Sequence, residues 1–271
     1  MTGNIKAVVF DWAGTMVDFG CCAPVRALHM VLQQSGIDAT EAEIRRDMGM
    51  AKRAHIARLL AMPRLHDQWL SAQGHAPADA DFDRLERDVT PLMIEAAAEC
   101  AELIPGAAAT VAALRSRGIL IGSNTGYTRA MMEAILPRAA EQGYAPDMVV
   151  CAGETSEGRP APLMLWKIFA ELGVWPASAC IKVDDAPVGI VEGRNAGCWT
   201  VGVAASGNEV GLDRAALAAL APGERDERIA AARTALLDAG AHFVIDTVAD
   251  LGPIVDVIEL HALDGAGPQD L

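Results

Sequence analysis

Val8-Val9-Phe10-Asp11-Trp12-Ala13-Gly14-Thr15 is an apolar run that stops at a carboxylate and passes into a turn of small residues. Over residues 5–11 it predicts a short strand buried on both faces, as in a parallel sheet. Four more such runs follow, at 119–123, 147–151, 179–183 and 198–203, with helical stretches at 106–117, 128–142, 161–172 and 187–196 around them. A last strand and helix are expected at 241–245 and 247–261, and a polar amphipathic surface helix at 222–239. Strand and helix alternating at this spacing predict an α/β fold: a Rossmann-like, doubly wound parallel sheet with helices on both faces.

Residues 20–103 break the alternation. They are rich in Ala, Leu, Met, Arg and Glu, hold no strand-like run, and predict helices near 24–35, 40–47, 52–61 and 81–102. The expectation is an inserted α-helical cap domain at 20–103, with 1–19 and 104–271 forming the core and Pro105-Gly106 marking the return.

The bulk composition excludes several classes of function. A chain of 271 residues that is 52% hydrophobic can bury a sizeable core. Its formal net charge of −14, without a basic run, repels a polyanion and argues against nucleic acid. No secretory signal and no apolar stretch of bilayer length is visible, so a soluble cytoplasmic protein is expected, with no membrane partner. The six cysteines form no C-x-x-C pair and no zinc-ligand spacing with histidine, and Cys151, Cys180 and Cys198 read as buried, reduced thiols. Only Lys6, Lys52, Lys167 and Lys182 among the 22 basic residues are lysine. Arginine cannot do amine chemistry, so each of these four is a candidate for a specific task.

In an open α/β sheet the ligand site lies at the carboxyl ends of the strands. Those ends carry Asp11, Thr125, the segment before Arg159, and Asp184-Asp185: carboxylates, a hydroxyl and a cation on one rim, suited to a metal-bound phosphoryl group. Phe10-Asp11-Trp12-Ala13-Gly14-Thr15, Ser123-Asn124-Thr125-Gly126-Tyr127-Thr128, Gly158-Arg159-Pro160 and Val183-Asp184-Asp185 resemble, in order, the four motifs of the haloacid dehalogenase superfamily. The resemblance runs essentially from end to end. It is strongest to the superfamily's phosphonatase branch, through Asp11-Trp12-Ala13-Gly14-Thr15 and Met48-Gly49-Met50-Ala51-Lys52.

The resemblance implies a role for each residue. Asp11 would be the nucleophile on phosphorus. Mg2+ would be held by Asp11, Asp185 and the backbone carbonyl of Ala13, with Asp184 or water standing in for a second acid, because Gly189 and Ile190 occupy the positions where some members carry one. Arg159 would be the cation near the phosphoryl group, and Thr125 with neighbouring N–H groups would bind its oxygens. Cys21, Met48, Gly126 and Tyr127 would line the substrate pocket.

Ala13 narrows the chemistry. Most phosphatases of this superfamily carry an acid there that protonates the leaving oxygen. Alanine cannot, which disfavours phosphomonoesters and phosphotransfer. A phosphonate with an aldehyde β to phosphorus needs no such acid if an amine converts the aldehyde to an iminium that accepts the electrons of the breaking P–C bond. Lys52, at the start of a predicted helix, is the expected amine, and His55, three residues on, the expected proton carrier. Lys52 must be neutral, its pKa lowered by burial or by cations such as Arg53, His55 or Mg2+. The remaining histidines show no partner pattern. The resemblance further implies phosphonoacetaldehyde as substrate, a place after a 2-aminoethylphosphonate transaminase, and a homodimer formed through the caps. The rivals are a phosphomonoesterase or phosphotransferase of the same superfamily and a catalytically silent phosphonate-binding protein.

Overall fold

The apolar runs pair into one six-stranded, all-parallel sheet of order β3-β2-β1-β4-β5-β6 in a computed structural model that describes residues 5–271. The chain begins with β1 (Ala7–Phe10) and then forms five helices: α1 (Cys22–Gln34), α2 (Glu41–Arg45), α3 (Lys52–Leu60), α4 (Pro63–Gln73) and α5 (Asp79–Glu99). It returns through α6 (Ala107–Ser116), β2 (Leu120–Thr125), α7 (Arg129–Met132), α8 (Ile135–Glu141), β3 (Met148–Cys151) and α9 (Leu163–Leu172). The second half adds β4 (Cys180–Asp184), α10 (Pro187–Ala196), β5 (Trp199–Val203), α11 (Arg214–Ala219), α12 (Pro222–Asp238), β6 (Phe243–Ile245) and α13 (Leu251–Leu263).

Strand periodicity divides the core. Val8 and Phe10 point into the larger hydrophobic cluster, while Ala7 and Val9 point the other way against Met164, Leu165 and Ile168 of α9. The larger cluster is continuous with the insert: Leu28 and Val31 of α1, Ile56 and Leu59 of α3, Trp69 of α4 and Leu85 and Val89 of α5 belong to it. The insert is therefore packed onto the core through buried side chains, not merely tethered to it.

Register places the chemistry. Phe10 is level with Ser123 of β2 on one side and Val183 of β4 on the other, so Asp11, Thr125 and Asp184-Asp185 emerge at one edge. β1 sits where the strand order reverses, and the crevice there is the site such sheets use. Two antiparallel linkers join core and insert beside that crevice: the Asp18 N–H donates to the Glu102 carbonyl at 3.3 Å and the Ile104 N–H to the Met16 carbonyl at 2.9 Å. Asp18, in the left-handed region at φ 55°, accepts from the N–H groups of Cys22 and Ala23 at 3.0 and 2.9 Å and so caps α1.

Some elements differ from expectation. The single helix expected over 128–142 is two, because Pro137 has no N–H to donate to the Glu133 carbonyl. α4 and α11 went unforeseen: α4 buries only Leu65 and Trp69, too sparse an apolar pattern to be legible, and α11 is six residues long.

Candidate active site

Asp11 continues the line of β1, its N–H donating to the Val183 carbonyl at 3.0 Å. The turn after it uses Gly14 at φ +85°, and a Cβ there would lie 2.2 Å from Asp185 Oδ2. Glycine is thus required twice over, for the backbone angle and for the approach of that carboxylate. Asp185 accepts from the Thr15 hydroxyl at 3.0 Å and from the Asn208 N–H at 2.8 Å. Ser206 donates to the Gly14 carbonyl at 2.8 Å and ties the turn to the loop after β5.

Three carboxylates meet here. One oxygen from each of Asp11, Asp184 and Asp185 lies within 4.8 Å of the others, and all three residues are buried. Burial first, then Asp184, pushes Asp11 up to about 6, against the pull of Arg159 and Lys182. Burial, Asp11 and Asp184 push Asp185 well above the usual carboxylate range. Burial works the same way on Asp184, but Lys182 and Arg159 outweigh it and hold that carboxyl low. An all-oxygen donor set crowded this way, and closed around by Gly14, fits a hard divalent cation such as Mg2+, which would relieve the repulsion.

Arg159 is buried with Nη1 2.8 Å from Asp11 Oδ1 and 3.4 Å from Asp184 Oδ2. Its other donors go to Glu192 Oε2 at 3.0 Å and to the Asn124 carbonyl and Oδ1, both at 2.9 Å. Lys182 Nζ stands 2.9 Å from Asp184 Oδ2 and donates to Asn124 Oδ1 at 2.5 Å. Asp184 is thus already engaged by two cations. A Cβ on Gly189 would fall 2.0 Å from Asp184 Oδ2, so this carboxylate fills the space that a side chain at 189 would need.

Above the rim lies a small cavity that Lys52 shares with Asp11, Ala13, Cys21, Met48, Thr125, Gly126, Tyr127 and Asp185. Lys52 is buried at the first position of α3, and its Nζ lies 5.4 Å from the Tyr127 ring centre. Burial lowers its pKa to about 8 and Arg159 adds to that, against Cys21 and Asp11. Arg53, expected to help, turns outward to Asp79 and Asp83 at 2.8 Å each. One step along a helix rotates the side chain by about 100°, which separates the two neighbours. Gly126 owes its place to contact with the insert: a Cβ there would lie 2.7 Å from the Gly49 carbonyl oxygen.

His55 is buried behind Lys52, and its Nε2 donates to the Ile44 carbonyl at 2.8 Å. Nδ1 has no partner among the described residues, so it is a bare acceptor. Burial first and then Lys52 lower the ring to about 3, so it is neutral at working pH. His55, Arg159 and Asp184 do not line the cavity itself.

Sequence reasoning assigned no site role to Asn124, Lys182, Glu192 or Asn208. Lys182 had a signal: a scarce lysine in the middle of an apolar strand-like run. Glu192 is fully buried on α10 and accepts from Asn124 Nδ2 at 2.8 and 2.9 Å, which nothing local announces.

The chain matches the haloacid dehalogenase-like hydrolase model over residues 5–197. It is 51% identical over 265 residues to the phosphonoacetaldehyde hydrolase of Paraburkholderia phytofirmans, a match that covers 98% of this chain and 99% of that one. To the phosphonoacetaldehyde hydrolase of Nitratidesulfovibrio vulgaris it is 42% identical over 266 residues, 98% and 95% of the two chains. Among solved structures it is similar to a phosphonoacetaldehyde hydrolase-like protein from Oleispira antarctica, at a TM-score of 0.97 and 43% identity over 98% of this chain and 97% of that one. A β-phosphoglucomutase from Clostridium difficile shares the fold alone, at a TM-score of 0.70 and 18% identity over 96% and 99%.

Proposed function

This chain belongs to the haloacid dehalogenase-like hydrolases, and among them to the phosphonoacetaldehyde hydrolases, and on that premise we propose that it cleaves the P–C bond of phosphonoacetaldehyde through an imine on Lys52 and an aspartyl-phosphate on Asp11. The observation that carries this reading is one cavity holding a buried lysine amine, with its pKa lowered to about 8, together with a carboxylate at the carboxyl end of β1.

Neutral Lys52 adds to the aldehyde and expels water, leaving an iminium. Asp11 attacks phosphorus, the P–C electrons move into the iminium to form an enamine, and the phosphoryl group stays on Asp11. Protonation of the enamine carbon and hydrolysis of the imine return Lys52 and acetaldehyde, and water cleaves the aspartyl-phosphate to phosphate and free Asp11. The departing carbon needs no acid at position 13, in keeping with Ala13. Arg159 holds Asp11 in place and offsets phosphoryl charge. The Thr125 hydroxyl and the N–H groups beside it face the phosphoryl oxygens. Tyr127, Cys21, Met48 and Gly126 line the organic end. His55 Nδ1 accepts a proton beside Lys52 transiently. Mg2+, held by Asp11, Asp185 and the Ala13 carbonyl with Asp184 close behind, would supply charge neutralisation at the phosphoryl group.

We read residues 20–103 as a cap that excludes water from the imine, with the core at 1–19, of which 1–4 lie outside the described residues, and 104–271. The proposal includes a homodimer through these caps, where Met30 and Leu70 leave apolar surface exposed on α1 and α4. It includes a cytoplasmic setting downstream of 2-aminoethylphosphonate transamination; no described helix is long and apolar enough to cross a membrane. Borohydride reduction in the presence of phosphonoacetaldehyde tests the reading. A reduced two-carbon adduct on Lys52 is expected, and unchanged turnover in Lys52→Arg would sink it. Comparable phosphate release from sugar phosphates would favour a phosphomonoesterase, and no turnover of either class a silent binding protein.

A further inference from the structure

Arg45 ties the helical insert to the carboxylate rim, and the chemistry above makes no use of it. It is the last residue of α2, yet its side chain is 12% exposed and ends on core and linker backbone. Nη1 donates to the carbonyls of Gly20 at 2.9 Å and Cys21 at 3.4 Å and to Asn208 Oδ1 at 3.3 Å, while Nη2 donates to the Gly211 carbonyl at 2.9 Å. Glu41, one turn back, accepts from Nε and Nη2 at 2.9 and 2.7 Å and orients the fork. Asn208 closes the pair by donating Nδ2 to the Arg45 carbonyl at 3.0 Å. The receiving loop is shaped for the guanidinium: Gly211 sits at φ +69°, and a Cβ there would lie 2.6 Å from Arg45 Nε.

Both ends of this tie reach the reacting groups. On the core side, the backbone N–H of the same Asn208 donates to Asp185 at 2.8 Å. On the insert side, the carbonyl of Ile44, the preceding residue, accepts from His55 on the helix that carries Lys52. The Met48 N–H, at the cavity wall, donates to the Arg45 carbonyl at 3.1 Å.

We propose that Arg45 is a positioning residue that sets the register between the insert, with its amine at Lys52, and the core carboxylates, by locking Asn208 so that its N–H stays on Asp185. A planar fork meeting three carbonyls and an amide oxygen is directional in a way an ammonium is not. The placement of the insert and cation binding at Asp185 are then thermodynamically linked, and each strengthens the other. The inference rests on Asp185 being a cation ligand.

The test uses the full-length protein with Mg2+ alone, titrated calorimetrically, and hydrogen exchange read by mass spectrometry. Arg45→Met and Arg45→Lys are each expected to weaken Mg2+ binding about five- to tenfold. Mg2+ should slow exchange over residues 41–60 in the parent and not in the variants. Every carboxylate of the cluster lies in the core, so a residue that merely shapes the insert would leave Mg2+ affinity untouched. Parent-like affinity in a variant that is folded by circular dichroism overturns the proposal. Gly211→Ala displaces the fork from the core side without altering the insert, and serves if the Arg45 variants do not fold. It should lower affinity to a similar degree, and adding Arg45→Met should lower it no further; independent, additive losses overturn the proposal. If the parent binds no Mg2+, the cation reading fails on its own account and exchange still decides. Protection lost from both 41–60 and 204–213 in Arg45→Met supports the tie, and loss confined to 41–60 refutes it.

Discussion

Lys52→Met is expected to abolish turnover and, at the same time, to make the protein more stable. Lys52 is 2% exposed, and burial moves its pKa from 10.5 to about 8. At about 1.4 kcal/mol per tenfold change in proton affinity, that gap costs the folded state about 3 kcal/mol wherever the lysine is charged. Methionine has similar length, no charge to desolvate and a flexible thioether that fills the same channel. The gain corresponds to a rise in Tm of roughly 5–10 °C for a chain of this size. Urea unfolding followed by circular dichroism, in a chelator, measures it. The folded pKa lies below the unfolded one, so the penalty is present in full below about pH 8. Between about 8 and 10.5 the unfolded chain keeps a proton that the folded one has lost, so the parent gains on the variant and the difference closes. A variant less stable than the parent at pH 7, or a stability difference that stays constant from pH 7 to about 10.5, would refute the argument that function here holds a desolvated amine at the expense of stability.

Three further outcomes follow from the same geometry. Because the amine must be neutral to form the imine, kcat/KM for phosphonoacetaldehyde should rise with pH and level off above about 8, and a profile flat from pH 6.5 to 9 would contradict it. Gly189→Ala puts a methyl 2.0 Å from Asp184 Oδ2, so Asp184 must leave Lys182 and Arg159; a loss of about 1–3 kcal/mol in urea midpoint analysis and at least tenfold in kcat is expected, and wild-type behaviour would show that Asp184 is free to move. Mg2+ should raise Tm in a concentration-dependent way and EDTA should reverse it, because crowded Asp11 and Asp185 are destabilising without a cation; a Tm indifferent to Mg2+ in differential scanning calorimetry would count against the carboxylates as its site.

The sheet was readable because parallel strands covered on both faces leave unbroken apolar runs, and β1, β4 and β5 are buried along their whole length. Asp11, Thr125 and Asp184-Asp185 could be placed on one rim from the sequence because each stands at the carboxyl end of an apolar, strand-like run. The insert showed as a gap in the alternation, but α4 did not, since two buried side chains make no periodic pattern. Arg53 was read as a cation acting on Lys52 from chain proximity alone, and helix geometry sends it to the surface instead.

The sequence by itself determined which groups this protein carries at its strand ends and in its insert: a carboxylate at Asp11, an amine at Lys52, a guanidinium at Arg159, and an alanine at position 13. The tertiary structure alone decided their state. Lys52 has its pKa lowered to about 8 because of the burial that α3 acquires on packing, Arg159 faces Asp11 through partners 33 and 35 residues away in Glu192 and Asn124, and Arg45 reaches Asn208 across 163 residues. Desolvation and pairing depend on distance in space, and a linear pattern carries residue types and local periodicity but no information on which distant groups share a low-dielectric pocket.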